Sequence, residues 1–224
     1  MTKIKYGLWF ILVMSITACQ ESTPPEKTQN TTNQTTQSDY VIMALGDSLT
    51  EGLGVDEEHN YPAILQQQLH AAGFTDIQVV NAGLSGETST GLVNRLDWVM
   101  QLKPDLTILN IGANDAMRGL DLAVTENNIR TIINTLQKNN SDVILAGMQI
   151  YDNLGREYVR GFKDIYPRIA EDLKVPLIPF FLAGVAGQPD YNQADGIHPN
   201  QAGYRLIVEN NILPIVLNHL EKNK

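Results

Sequence analysis

The sequence predicts an α/β domain, a parallel sheet covered on both sides by helices. Three observations predict it. From Tyr40 onward, short apolar runs of strand length alternate with longer amphipathic stretches. The first run, Val41–Leu45, is apolar throughout, as suits a strand buried on both faces. It leads straight into Gly46-Asp47-Ser48, so a hydroxyl sits just past a strand's carboxyl end. Ligands collect at that edge in open α/β sheets.

The elements follow in order. Strands are predicted at Val41–Leu45, Ile77–Asn81, Leu106–Ile111, Val143–Met148 and Pro176–Pro179. Helices are predicted at Tyr61–Ala72, Thr90–Leu102, Ala123–Asn139, Tyr158–Leu173 and Gln201–Leu220. Thr125-Glu126-Asn127-Asn128 could shift the third helix start, and Pro214 should kink or end the last helix. No internal repeat is found. The whole chain has 224 residues, enough for one domain with a sizeable core.

The first residues are read separately. Lys3 and Lys5 open the chain, and an apolar segment runs from about Gly7 to Ile16. It is too short to span a bilayer comfortably and has the pattern of a signal peptide over residues 1–18. It ends in Ile16-Thr17-Ala18-Cys19, which resembles the lipobox of bacterial lipoproteins. That resemblance implies that Cys19 becomes the first mature residue and carries a lipid. Gln20, rather than Asp, follows it. The same resemblance then implies a bacterial cell-envelope address, at the outer membrane facing the periplasm. Residues 20–39 contain no large apolar residue, so they cannot offset their ordering entropy and read as a disordered tether. The expected organisation is a signal peptide over 1–18, a lipidated Cys and tether over 19–39, and a folded domain over 40–224.

Composition excludes several function classes. A single cysteine permits neither an internal disulfide nor a thiolate zinc cluster. His59, His70, His198 and His219 show no metal-ligand spacing, and no metal or organic cofactor is called for. The formal charge is −9, and −11 without residues 1–18 (14 basic against 25 acidic residues). With no basic cluster evident in the sequence, this argues against nucleic acid and against polybasic attachment to anionic lipid. Any membrane attachment must then come from a lipid on Cys19. The oligomeric state is not legible; a monomer is expected.

Four blocks carry candidate chemistry. Ser48 stands in the first strand-end turn. The second strand end reads Val80-Asn81-Ala82-Gly83-Leu84-Ser85-Gly86-Glu87-Thr88, where a glycine lets backbone approach a ligand closely. The third reads Ile111-Gly112-Ala113-Asn114-Asp115, with Asn as a residue tolerant of left-handed turns. Before the last helix stands Asp195-Gly196-Ile197-His198-Pro199-Asn200, where Asp195 can fold back across the glycine to accept the imidazole Nδ1–H. Each block alone also fits an ordinary turn or helix cap.

Taken together and in this order, the blocks GDSL, NAGLSG, GAND and DGIHP resemble the SGNH (GDSL-type) hydrolase family over nearly all of residues 40–215. The stretches Gly147–Ile150, Ile165–Ala170 and Val175–Leu182 are similar to its bacterial envelope thioesterase, lysophospholipase and arylesterase branch. The resemblance implies a three-layer α/β/α fold with a five-stranded parallel sheet of flavodoxin-like order 2-1-3-4-5. It also implies Ser48 as nucleophile, Asp195 and His198 as the other triad members, and an oxyanion hole from Ser48, Gly83 and Asn114. With that strand order, the three blocks at strand ends fall on neighbouring strands beside the topological switch point.

The expected reaction is hydrolysis of carboxylic esters and thioesters through an acyl-serine, with His198 as base. The partner is a small-molecule or lipid ester such as lysophospholipid or an aryl or alkyl ester. Activity should rise with pH near the free imidazole value, roughly 6.5. Gln149, Ile150, Tyr151 and Leu154, in the loop after the fourth strand, are expected to bind the acyl group. Relatives often carry proline where Tyr151 and Asp152 stand, which leaves chain-length preference open. Phe180, Phe181 and Leu182 are either pocket wall or plain core. Two alternatives stand beside this reading: a carbohydrate O-acetyl esterase, and a non-catalytic envelope lipoprotein binding lipid or glycan.

Overall fold

Five parallel strands form one sheet in the computed structural model, which describes residues 40–222. The expected signal peptide, lipidated Cys19 and tether lie outside the described residues. The strands are β1 (Tyr40–Gly46), β2 (Ile77–Gly83), β3 (Leu106–Asn110), β4 (Asp142–Ala146) and β5 (Leu177–Ile178). Their order is β2-β1-β3-β4-β5, as the resemblance implied. The longer helices are α2 (Tyr61–Ala71), α3 (Ser89–Val99), α5 (Leu122–Lys138), α6 (Arg156–Leu173), α7 (Gln201–Ile207) and α8 (Leu213–Lys222). Two short helices were not anticipated: α1 (Ser48–Glu51) and α4 (Ala113–Met117).

Right-handed crossovers decide the layering. The β1–β2 connection runs one way across the sheet and the later ones run the other, so α2 lies on the face opposite α3, α5 and α6. Accordingly α3 packs on α5 and α5 on α6, while α2 packs on α7 and α8. Ile42–Leu45, all of β3 and most of β4 are fully buried between these layers. The continuous apolar run of β1 thus reports a strand covered on both faces.

Register aligns the carboxyl ends. Gly46 pairs with Gly83 on one side and Asn110 on the other, so β1, β2 and β3 release their following turns at one level. Two boundaries differ instructively from expectation. α5 begins at Leu122 because Asp121 caps it, accepting the Ala123 N–H at 2.8 Å. Pro214 does not end the last helix. A π-helical turn over Val208–Ile212 precedes it, and the helix continues to Lys222. Proline has no N–H to donate back, and a widened turn is one way a helix passes such a gap.

Candidate active site

Ser48 is the first residue of α1 and is almost buried. Asp47 caps that helix, with its carboxylate accepting the Leu49 N–H at 3.0 Å. The Ser48 N–H, at the first helical position, has no intrahelical acceptor. Ser48 Oγ lies 2.9 Å from His198 Nε2, across 150 residues of sequence.

His198 is held by its own turn. Its Nδ1 is 2.6 Å from Asp195 Oδ2, while Asp195 Oδ1 accepts the N–H groups of Ile197 and His198, both at 3.0 Å. A carboxylate only accepts, so Nδ1 carries the proton and Nε2 is left to accept from Ser48. Burial alone would raise the Asp195 carboxyl; the hydrogen bonds from the His198 ring and from the two N–H groups outweigh it and bring it down to about 2. The turn is anchored by Gln193, which sequence reasoning missed. Its amide donates to Leu53 O at 2.7 Å and Pro199 O at 3.0 Å, tying the His198 turn to the chain just after α1.

Asn114 belongs to α4, not to a left-handed turn; the left-handed residue is Gly112 (φ +112°), which caps that helix. A Cβ on Gly112 would meet Tyr166 Oη, which donates to Ile111 O at 2.9 Å. Asp115 is fully buried and accepts from Ser89 N–H and Oγ at 2.8 and 2.5 Å, which locks α4 to the start of α3. The Asn114 side chain is thereby aimed back over β1, with its Nδ2 3.5 Å from Asp47 Oδ2.

Gly83 requires a correction. Its N–H donates to Asn81 Oδ1 at 2.9 Å, so this donor is occupied. The absent side chain has a different purpose: a Cβ there would sit 2.1 Å from the Glu51 backbone nitrogen, so glycine is what lets β2 approach α1. In the turn that follows, Leu84 N–H goes to Gly46 O, Ser85 N–H to Glu51 Oε2 and Glu87 N–H to Leu84 O. From Gly83 to Glu87, only the Gly86 N–H lacks an acceptor among the described residues. Gly86 takes a left-handed φ of +76°. The second glycine of NAGLSG, two residues before the α3 cap Thr88, was the signal to weigh.

A cavity of about 550 Å³ opens beside Ser48 and His198. Gln149, Ile150, Tyr151 and Leu154 line it, as the sequence suggested, together with Met117 and Met148. Phe180 and Leu182 also face it, whereas Phe181 is fully buried against Tyr61, ring edge to ring face at 5.4 Å. The apolar run after β5 therefore divides between pocket wall and core. Tyr151 crosses the mouth, its hydroxyl donating to Gly196 O at 3.1 Å.

Two charged groupings were not anticipated. Arg156, Arg160 and Lys163, spaced along α6, line a groove next to Gln149 and Ile150, so the domain does have a basic cluster, although Glu157 shares it. Asp56, Glu58 and His59 have possible ligand atoms within 4.8 Å of one another.

A hydroxyl, an imidazole and a carboxylate in relay at an apolar cavity form the arrangement of a serine acyl hydrolase. Residues 44–206 match the GDSL-like lipase/acylhydrolase family. The chain belongs to that family. Esterase TesA of Pseudomonas aeruginosa is 36% identical over 75% of this chain and 84% of its own length. Thioesterase 1/protease 1/lysophospholipase L1 of Escherichia coli K12 is 34% identical over 75% of this chain and 79% of its own. The psychrotrophic esterase EstA from Pseudoalteromonas sp. superimposes with a TM-score of 0.77, at 32% identity, covering 82% of this chain and all of that one. As a member of this GDSL family, the protein is an ester-hydrolysing serine hydrolase.

Proposed function

We propose that the protein hydrolyses acyl esters of some length, with lysophospholipids and aryl or alkyl esters as its substrate class and thioesters as additional substrates. One observation carries this reading: the Ser48–His198–Asp195 relay, at 2.9 and 2.6 Å, stands at the mouth of a largely apolar cavity. In the proposed reaction Ser48 Oγ attacks the carbonyl carbon while its proton passes to His198 Nε2. Asp195 holds the ring and stabilises the imidazolium. The oxyanion is received by the N–H groups of Ser48 and Gly86 and by Asn114 Nδ2. His198 then gives its proton to the departing alcohol or thiol. Water attacks the acyl-serine, losing a proton to His198, and the acid leaves as Ser48 is restored.

Gln149, Ile150, Tyr151 and Leu154 are proposed as the acyl-binding loop. A cavity of about 550 Å³ lined by methionine, leucine and phenylalanine is larger than an acetyl group needs, which favours longer acyl chains over a carbohydrate O-acetyl ester. We place the enzyme in the bacterial cell envelope on a lipid carried by Cys19, on the strength of the Ile16-Thr17-Ala18-Cys19 pattern. The deciding experiment is an ester panel spanning acyl length and leaving group, beside Ser48→Ala and a fluorophosphonate label. Turnover of medium-chain esters with labelling at Ser48 supports the reading. Strict acetate preference would replace it with the O-acetyl esterase, and absence of both turnover and label would end it.

A further inference from the structure

The turn that carries Gly86 is bonded to the two helices that carry the other oxyanion donors. From one side, Glu51 Oε2 accepts both the N–H of Ser85, at 3.0 Å, and the Ser85 hydroxyl. Glu51 is the last residue of α1, one turn beyond Ser48. From the other side, a terminal Arg118 nitrogen donates to the Gly86 carbonyl at 2.9 Å. Arg118 caps the end of α4, and its own N–H reaches Asn114 O at 3.3 Å. The residue before the free N–H is therefore held by the nucleophile's helix, and the residue bearing it by the helix of Asn114.

We infer that Glu51 and Arg118 are positioning residues that keep the Gly86 N–H aimed at the oxyanion and fix the three donors as one unit. The inference rests on the catalytic reading above, in which Gly86 is a donor. Its physical basis is the conformational freedom of the turn. Gly86 has no side chain to restrict it, its φ of +76° is one of several wells open to glycine, and no packing atom lies closer than 3.8 Å to where a Cβ would be. Only hydrogen bonds hold such a residue in one conformation. A donor acts in catalysis when it is already placed for the charge that develops, so a wandering N–H contributes little. Both side chains are exposed and neither lines the cavity, so neither is placed to contact the acyl group. Exposed polar pairs add little to stability, which makes their removal a readable experiment rather than an unfolding one.

The test uses the full chain with Arg118→Ala, Glu51→Ala and the double variant, assayed on a soluble, uncharged aryl ester. Losing a donor outright costs about 100- to 1,000-fold in kcat, so loosening one should cost about 10-fold in each single variant and more in the double, with KM held within about twofold. Phosphonylation of Ser48 should slow in parallel, since the phosphonyl oxygen develops charge in the same place. Glu51→Gln keeps an acceptor for the Ser85 N–H and should retain most of the activity. Added guanidinium should partly restore Arg118→Ala and leave the parent unchanged. Amide hydrogen exchange over residues 84–88 should quicken in the variants. A double variant with kcat within about twofold of the parent overturns the inference. So does a change confined to KM, which would mean substrate contact, or unchanged exchange over the turn. If the parent neither turns over ester nor takes the label, the catalytic reading has failed instead, and the exchange measurement still decides whether the two side chains hold the turn.

Discussion

The Asp47 carboxylate lies 3.5 Å from the Asn114 amide nitrogen, and both groups are buried beside the nucleophile. Burial raises the Asp47 carboxyl to about 7, despite the hydrogen bonds from Leu49 and Asn114 and the charge of His198 that act to lower it. The folded protein therefore binds a proton at Asp47 more tightly than the unfolded chain does. That contribution to stability is fully present below pH 4 and is lost as pH rises through about 7. Asp47→Asn keeps an acceptor for the Leu49 N–H and removes the titration. Urea midpoints measured from pH 4 to 8 should show the parent losing stability relative to this variant as pH rises. Parallel curves would contradict the buried-carboxyl account.

Asn114 is expected to act on the transition state rather than on bound substrate. Asn114→Ala should lower kcat about 100- to 1,000-fold with little change in KM. Steady-state kinetics on one soluble ester decide it, and a near-parent kcat removes Asn114 from the oxyanion site.

The two glycines of the second turn should respond differently. In Gly83→Ala the new methyl would overlap the Glu51 backbone nitrogen, a contact only a backbone shift can relieve, at a cost of about 1–3 kcal/mol. Gly86→Ala meets no close atom and has only its left-handed φ to overcome, about 1–2 kcal/mol. Chemical denaturation should rank Gly83→Ala as the less stable, and should also find its activity reduced because α1 carries Ser48.

Glu87 is buried and forms paired hydrogen bonds to Arg95, both at 2.6 Å; Arg95 also donates to Ala82 O at 2.8 Å. Glu87→Ala strands a mostly buried guanidinium at the base of the Gly86 turn. A loss of about 3–5 kcal/mol is expected on denaturation, as for other buried pairs broken from one side. A loss under 1 kcal/mol would mean that water reaches Arg95 freely.

Leu182 faces the cavity and is 8% exposed. Leu182→Trp should shorten the preferred acyl chain by filling that wall, read as a drop in kcat/KM for long esters with acetate or butyrate esters spared. An equal loss across chain lengths would place the acyl group elsewhere.

The elements of the site differ in how far they could be read from the chain. Val41–Leu45 declared a doubly covered strand because an apolar run without alternation has no face to offer water. Asp195 and His198 were legible because their contact is local, closed within four residues by Gly196. Gly83 was misjudged for Gly86 because both are glycines of one turn, and only hydrogen-bond accounting tells an occupied N–H from a free one. The basic groove escaped notice because Arg156, Arg160 and Lys163 are interrupted by Glu157 and gathered only by helical periodicity.

By itself the sequence determined the alternation of strand and helix, the turn residues at the strand ends and the Asp195–His198 pair. These follow from burial pattern, backbone preference and contacts a few residues long. Only the tertiary structure decided which N–H groups stay free, which half of the run after β5 faces the cavity, and that Glu51 and Arg118 reach the Gly86 turn. Each of those depends on atoms distant in the chain meeting at ångström separations, where hydrogen bonds are either made or missing, and no local pattern encodes that.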